Sequence, residues 1–198
     1  TVHDARTFAL KIRHPGWVAA GQLRVKLNGR RLKLSGRPGD YVEIRRAWAA
    51  GDRVDVELPM RTSLEPMPGM AHYYAVLHGP IVLAAKTNPF PKERLKLLAD
   101  DSRMGHIAQG QVCPQDGAPL FVSDTRDFAR RFKPVPGQPL TFTAPGLIQG
   151  PGAQGLRLIP FFRLHDSRYM IYWAHSTPAQ VGKLRLATAQ AEAQSLAL

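Results

Sequence analysis

The chain has 198 residues, which is long enough for one large domain or for two small ones that each bury a core. Hydrophobic residues make up 44% of it, but no uncharged apolar run approaches the roughly 18 residues of a membrane-spanning helix, so we expect a soluble globular protein. Lys and Arg number 27 against 15 Asp and Glu, and the net charge of +12 raises the question of an anionic partner.

Short alternating runs separated by turn residues characterise the first half of the chain. Phe8, Leu10 and Ile12 alternate with charged side chains, which is typical of a half-buried strand. Asn28-Gly29 accepts the positive φ angles of a two-residue hairpin turn. The strands predicted in this half cover residues 8–13, 23–27, 31–34, 41–46, 53–58, 75–77 and 81–84.

The second half is less regular, and Pro89 and Pro91 mark a connector before it. Residues 178–195 are rich in Ala, Gln and Leu and follow Ser176-Thr177-Pro178, which predicts a short helix or tail. The strands predicted here cover residues 95–98, 120–122, 132–135, 140–143, 156–164 and 169–173. We therefore predict an all-β fold of two consecutive antiparallel β-sandwich, jelly-roll-like domains, residues 1–86 and residues 87–198 with the helical tail.

Basic residues are dense in one stretch of the first half. Nucleic-acid binding is one interpretation, and a solvated outer face of alternating strands is the other. Residues 1–86 hold 14 basic and 7 acidic residues and residues 87–198 hold 13 and 8, so the charge is spread over the chain and favours the second interpretation. The stretch contains Arg24, Lys26, Arg30, Arg31, Lys33, Arg37, Arg45 and Arg46.

Residues suited to metal or nucleophilic chemistry are sparse. Cys113 is the single cysteine, which excludes an internal disulfide and a multi-thiolate metal site. The seven histidines show neither an HExxH motif nor a pair at helical spacing, so we expect no metal in this chain. Asp100 and Asp101 are adjacent, and neighbours on a strand point to opposite faces. No signal peptide precedes the first strand, and we expect the chain to be a segment of a longer one.

Aromatic side chains are concentrated in PFFRLHDSRYMIYW, residues 160–173. They can form a sugar-stacking platform or a sandwich core, and core packing is the commoner role. Consecutive residues of the central turn cannot orient a Ser-His-Asp triad, so Asp166 and Ser167 are expected to bond the turn backbone and Arg168 to make an ion pair. The candidate carbohydrate contacts are Trp17, Trp48, Tyr73, Tyr74, His165, Asp166, Arg168, Tyr172 and Trp173.

Several of these segments resemble a known enzyme family. The stretches FALKIRHPGW (8–17), VKLNGRRL (25–32), YVEIRRAWAAGDRVDVELPM (41–60) and AVLHGPIVLAA (75–85) resemble the region that follows the catalytic barrel in β-L-arabinofuranosidase-type glycoside hydrolases, family 127 and its relatives. The aromatic stretch is similar to the distal C-terminal segment of a branch of six-hairpin glycosidases. Residues 87–155 contribute almost nothing to the resemblance.

The resemblance implies a bacterial parent with an (α/α)6 barrel followed by β-sandwich domains, of which this chain is the sandwich part. In the family, a cysteine nucleophile sits in a zinc site made of further cysteines and a glutamate in the barrel. Nothing here matches that cluster, so Cys113 does not inherit the role and no catalytic residue or cofactor is expected in this chain. Zinc would belong to the absent catalytic domain, and the family implies a periplasmic or extracellular location.

Three hypotheses follow. The first is a non-catalytic accessory region that packs against and supports the catalytic domain of the same polypeptide, which would leave an apolar patch exposed on the chain alone. The second is a carbohydrate-binding module that uses exposed aromatics on a plant or bacterial glycan. The third is binding of nucleic acid or acidic polysaccharide through the basic surface, and of these partners nucleic acid is the least favoured. No membrane partner is expected.

Overall fold

The computed structural model describes residues 5–87, 96–99, 106–109, 118–164 and 169–196. Strands dominate these ranges, and the C-terminal segment forms a helix, α1 (Val181–Leu196). The predicted all-β, sandwich-like fold with a short C-terminal helix is thereby confirmed. The chain divides into two compact units, Thr1–Arg61 (unit 1) and Thr62–Leu198 (unit 2).

Unit 1 contains two small antiparallel sheets. One joins β1 to β4 over eight residue pairs, from Arg6 opposite Trp48 to Arg13 opposite Tyr41. The other has the order β3-β2-β5. The strands are β1 (Arg6–Arg13), β2 (Arg24–Leu27), β3 (Arg30–Arg31), β4 (Tyr41–Trp48) and β5 (Val54–Glu57).

The core of unit 1 lies between these two sheets. Val25 of β2 is buried together with Ile44 and Trp48 of β4. Alternation places these residues on the inward faces of their strands, and their charged neighbours point to solvent. The half-buried side chains that complete the core are Leu10, Ile12, Leu23, Leu27, Leu32, Leu34 and Val54.

The predicted hairpin turn joins β2 to β3. Asn28 has a φ of +49° and Gly29 a φ of +79°, which are the positive values that a type I′ turn requires. The second strand is shorter than predicted, although Leu32 still donates its backbone N–H to the Val25 carbonyl at 2.9 Å. Leu32 and Leu34 pack on the core from outside the strand.

Unit 2 is built on one mixed sheet, in the order β12-β13-β15-β8-β7-β17-β11-β14, with β6 paired to β7 and β16 paired to β8. Strand β11 runs parallel to β17 and antiparallel to β14. Strands β9 and β10 pair with each other in a separate antiparallel ladder. The strands are β6 (Thr62–Pro66), β7 (Tyr73–His78), β8 (Ile81–Lys86), β9 (Lys96–Ala99), β10 (His106–Gln109), β11 (Leu120–Val122), β12 (Lys133–Pro134), β13 (Phe142–Thr143), β14 (Ile148–Gln149), β15 (Leu158–Pro160), β16 (Tyr169–Met170) and β17 (Tyr172–Ser176).

The boundary between the units differs from the predicted one, which lay after residue 86. Strand β7 pairs with β6 on one side and with β8 and β17 on the other, and β8 pairs with β15. These ladders tie residues 62–86 to the second half of the chain. The alternation of residues within β7 and β8 does not indicate which sheet these strands join. Because of the pairings, the boundary lies between Arg61 and Thr62.

Aromatic rings fill much of the core of unit 2. Phe121 stacks on Trp173 with ring centroids 4.9 Å apart, and Phe128 packs on Phe121 at 5.0 Å. The other buried members are Val76, Leu83, Ala85, Phe132, Phe142, Ala144, Leu147, Ile148 and Leu158.

A bend at Ile171 separates β16 from β17. Met170 and Trp173 both face the core although they are three residues apart, so the two-residue alternation of a strand is broken between them. As a result, β16 pairs with β8 and β17 pairs with β7. Tyr169 and Tyr172 consequently both project away from the core.

Helix α1 follows the predicted Pro178 turn. The Thr177 carbonyl accepts the backbone N–H groups of Gln180 and Val181, each at 3.0 Å, and so begins the first turn. In the portion of the chain that the structure describes, no helix combines the length and the apolar character needed to cross a bilayer.

Candidate binding surfaces

The predicted carbohydrate contacts fall into four groups. Trp48 and Trp173 are 2% and 0% exposed, so they are core residues and we withdraw them as ligand contacts. Trp17, Tyr73 and Tyr74 are half-buried, whereas Tyr172 is 43% exposed. His165, Asp166 and Arg168 lie outside the described residues, as does Cys113.

The contacts of the buried tryptophan of unit 1 explain its burial. The Trp48 indole N–H donates to the Phe8 carbonyl oxygen at 3.0 Å, and the Phe8 ring stacks on Trp48 with centroids 5.3 Å apart. The Arg46 guanidinium lies 5.4 Å from the Trp48 ring. Trp48 therefore holds β1 against β4.

Tyr74 likewise belongs to a packed cluster. Its ring meets Phe128 edge-to-face at 5.9 Å and His175 at 6.0 Å. Burial lowers the pKa of His175, and the guanidinium of Arg126 and the nearby His72 act in the same direction, against the hydrogen bond to Ser123. His175 is thus neutral near pH 7 and serves the packing of unit 2.

Unit 2 leaves four large aromatic side chains exposed, Phe161, Phe162, Tyr169 and Tyr172, and we refer to this set as the aromatic face. Phe161 contacts Tyr169 with ring centroids 5.0 Å apart, and Tyr169 stands opposite Lys86 in the β16–β8 ladder. Phe162, at 62% exposure, is the most exposed of the four.

Two cationic side chains lie beside individual rings of the aromatic face. The Arg163 guanidinium lies 5.8 Å from the Phe162 ring centroid and donates to the Pro139 carbonyl at 3.1 Å, which fixes its position. Lys86 is also exposed. The face therefore combines flat apolar rings with positive charge beside them.

A second surface feature is an open polar cleft in unit 2 with a volume of about 400 Å³. We call it the polar cleft. Its residues come from four separate parts of the sequence, which is why sequence reasoning did not single it out. They are Val122, Ser123, Asp124, Thr125, Arg131, Gly146, Gln149 and Pro178.

The basic stretch of unit 1 is partly neutralised by its own carboxylates. Arg24 pairs with Glu57 at 2.9 Å across β2 and β5, and Arg45 pairs with Glu43 at 3.3 Å. These side chains are largely exposed, so the pairs add little stability. The arrangement is that of a solvated outer face, as the alternation predicted.

Within the described ranges, no group of three or more His, Cys, Asp or Glu side chains is arranged to hold a metal ion. The expectation that any zinc belongs to another domain stays a prediction.

Family comparisons divide the chain at the same place as its fold. Residues 1–60 match the middle domain of GH127 β-L-arabinofuranosidases, and residues 63–175 match DUF4986, a domain of unknown function. No curated protein matches the chain.

Solved structures of glycoside hydrolases are similar to the chain. A GH127 β-arabinofuranosidase is 18% identical over 89% of this chain and 30% of its own, with a TM-score of 0.50, which shows a shared fold. A GH127 β-L-arabinofuranosidase from Geobacillus stearothermophilus T6 is 19% identical over 87% of this chain and 27% of its own, with a TM-score of 0.49. The chain spans less than a third of the length of each.

The chain is thus a β-sandwich protein whose first 60 residues are similar to the middle domain of GH127 β-L-arabinofuranosidases, and its fold is shared with a solved enzyme of that kind. Because the DUF4986 match covers more than half of its residues, the chain belongs to that family of domains of unknown function.

Proposed function

We propose that this chain is a non-catalytic accessory region of a bacterial GH127-type glycoside hydrolase, and that it packs against and supports an (α/α)6 catalytic barrel of the same polypeptide. The observation that carries the proposal is the aromatic face of unit 2. Four large exposed rings on one compact unit are the feature expected of a surface that another domain covers.

The length of the related proteins supports this choice of partner. The GH127 β-arabinofuranosidase of similar fold has more than two thirds of its chain outside the matched region, which leaves room for a catalytic domain. The positive charge of Lys86 and Arg163 beside rings of the face suits a partner surface with acidic side chains.

The proposal also extends to where a zinc cofactor would bind and to the cellular compartment in which the protein would act. Any zinc would be bound in the catalytic barrel, and the protein would act in the periplasm or outside the cell. The sequence resemblance to family 127 supports both statements. A plant or bacterial glycan remains a further partner of the whole protein.

The test compares the isolated chain with the full-length protein that contains it. Phe162→Ser combined with Tyr172→Ser should lower the melting temperature of the full-length protein and its kcat/KM on arabinofuranosides, because truncating central interface aromatics weakens docking. The same pair should leave the melting temperature of the isolated chain nearly unchanged. Leu186→Ser on α1 is the matched control, since Leu186 is also 62% exposed.

Three results would overturn the proposal. One is an equal loss of stability in the isolated chain, which would make the rings part of the packing of unit 2 itself. Another is hydrolysis of arabinofuranosides by the isolated chain. The third is binding of arabinan or xylan by the isolated chain that the double variant abolishes, which would assign the face to carbohydrate.

A further inference from the structure

The geometry of the polar cleft points to a ligand of its own, and we infer that it binds a neutral sugar unit through vicinal hydroxyl groups. This inference does not depend on the accessory role, because the cleft and the aromatic face share no residue.

Hydrogen-bonding groups that the fold leaves unused line the cleft. Asp124 and Arg131 are exposed, and neither side chain forms an ion pair or hydrogen bond with any residue of the described ranges. A carboxylate can accept from two neighbouring hydroxyls, and a guanidinium can donate to two. Gln149 adds an amide that can do both.

The wall that carries Asp124 is held in place by several contacts. Ser123 donates its backbone N–H to the Ser176 carbonyl at 3.0 Å, and the Ser123 carbonyl accepts from His175 Nε2 at 3.1 Å. The Ser123 hydroxyl accepts the Thr125 backbone N–H at 3.3 Å. A ligand therefore meets a wall whose shape is already set, which reduces the entropy lost on binding.

Arg131 lies close to a glycine that also lines the cleft. A Cβ on Gly146 would stand 3.6 Å from the Arg131 Nη2 atom, an ordinary van der Waals distance, so the guanidinium lies directly beside this turn. The φ of +72° at Gly146 also disfavours any other residue. Arg131 thus stands beside a turn whose backbone conformation favours glycine.

The charge of the lining favours a neutral ligand. Asp124 and Arg131 are the charged residues among the eight that line the cleft, and their formal charges cancel. Val122 and Pro178 add apolar surface for the C–H groups of a sugar ring. The volume of about 400 Å³ lies within the range of small-molecule sites.

The experiment is an NMR titration of the 198-residue chain with methyl α-L-arabinofuranoside and methyl β-D-xylopyranoside. Saturable shifts are expected at the backbone amides of residues 122–125, 146 and 149, with a dissociation constant of roughly millimolar size. Tetrahydropyran, a ring without hydroxyl groups, should produce no such shifts.

Two variants each replace a charged side chain of the cleft with a neutral amide, which can still form hydrogen bonds but carries no charge. Asp124→Asn and Arg131→Gln should each weaken binding by about tenfold, because each loses a charge-assisted bond to the sugar. Asp127→Asn and Arg130→Gln make the same charge changes at exposed neighbours outside the lining, and should bind like the unaltered chain. Unchanged melting temperatures will show that all four variants fold.

The inference is overturned if neutral sugars cause no saturable shift, or if the shifts map to the aromatic face. It is also overturned if Asp124→Asn and Arg131→Gln bind as well as their controls. Binding of galacturonic acid alone, with an affinity that falls steeply with salt, would mean an anion site and would contradict the neutral ligand.

Discussion

Asp52 shows how one buried carboxylate connects two turns of unit 1. It accepts hydrogen bonds from the Asn28 amide at 2.7 Å and from the Ala49 backbone N–H at 2.9 Å, and Arg46 lies 3.6 Å away. Asn28 in turn accepts the Arg53 backbone N–H at 2.8 Å. The hairpin turn after β2 and the turn before β5 are thus held to each other by side chains.

The first prediction concerns the ionisation of this carboxylate. The Asn28 hydrogen bond is the main cause that holds the pKa of Asp52 below its usual value of 3.8, and the Ala49 N–H and Arg46 act in the same direction against burial. Because the folded pKa is lowered, Asp52 stabilises unit 1 at pH values above 3.8, and this contribution is lost as the pH falls through the folded pKa.

Asp52→Asn should therefore lower the urea midpoint of unit 1 at neutral pH and flatten its dependence on pH in the acid range. The measurement is urea unfolding followed by the NMR cross-peak of the Trp48 indole N–H, which reports unit 1 separately from Trp17 and Trp173, from neutral to about pH 3. Asp55→Asn, a change of the same kind at a less buried site on β5, is the control. An unaltered acid dependence in Asp52→Asn would refute the assignment.

At the scale of elements, the Asn28-Gly29 hairpin offers a second prediction. A Cβ on Gly29 would meet no atom within 4 Å, so Gly29→Ala introduces no clash, only a side chain at a φ of +79°. We expect a loss of about 1 kcal/mol in the free energy of unfolding of unit 1. Gly16→Ala, where the new Cβ also meets nothing and φ is not positive, should be nearly neutral. Equal effects of the two substitutions would contradict the conformational explanation.

The elements that the sequence predicted well are those whose pattern is local. The alternation of β1 and β4, the Asn28-Gly29 turn and helix α1 each depend on neighbouring residues, and each is present. Strand β6 was not predicted, because its residues become a strand only by pairing with β7. The boundary after residue 86 failed for the same reason, since β8 finds its partner β15 more than 70 residues later.

The binding surfaces were predicted only in part. The aromatic stretch 160–173 was identified from the sequence. A strict alternation could not show that Trp173 is buried while Tyr169 and Tyr172 are exposed, because the bend at Ile171 interrupts the alternation. The polar cleft was missed altogether, since its lining comes from four segments that only the folded sheet brings together. Sequence patterns report the local period of a chain, and they do not report which distant segments meet.

At the scale of the whole molecule, the proposed accessory role depends on what covers the aromatic face. Unit 2 buries a well-packed aromatic core and yet leaves four other large rings exposed. In a domain that works alone, such rings would favour self-association. In an accessory domain, they are the residues that a catalytic partner covers.

Hydroxyl-radical footprinting of the full-length protein and of the isolated chain tests this claim most directly, because it reports the solvent exposure of individual aromatic side chains. The account predicts that Phe161, Phe162, Tyr169 and Tyr172 are oxidised at least several-fold more slowly in the full-length protein, whereas Leu186 reacts equally in both. Equal oxidation of the four rings in the two proteins would contradict it.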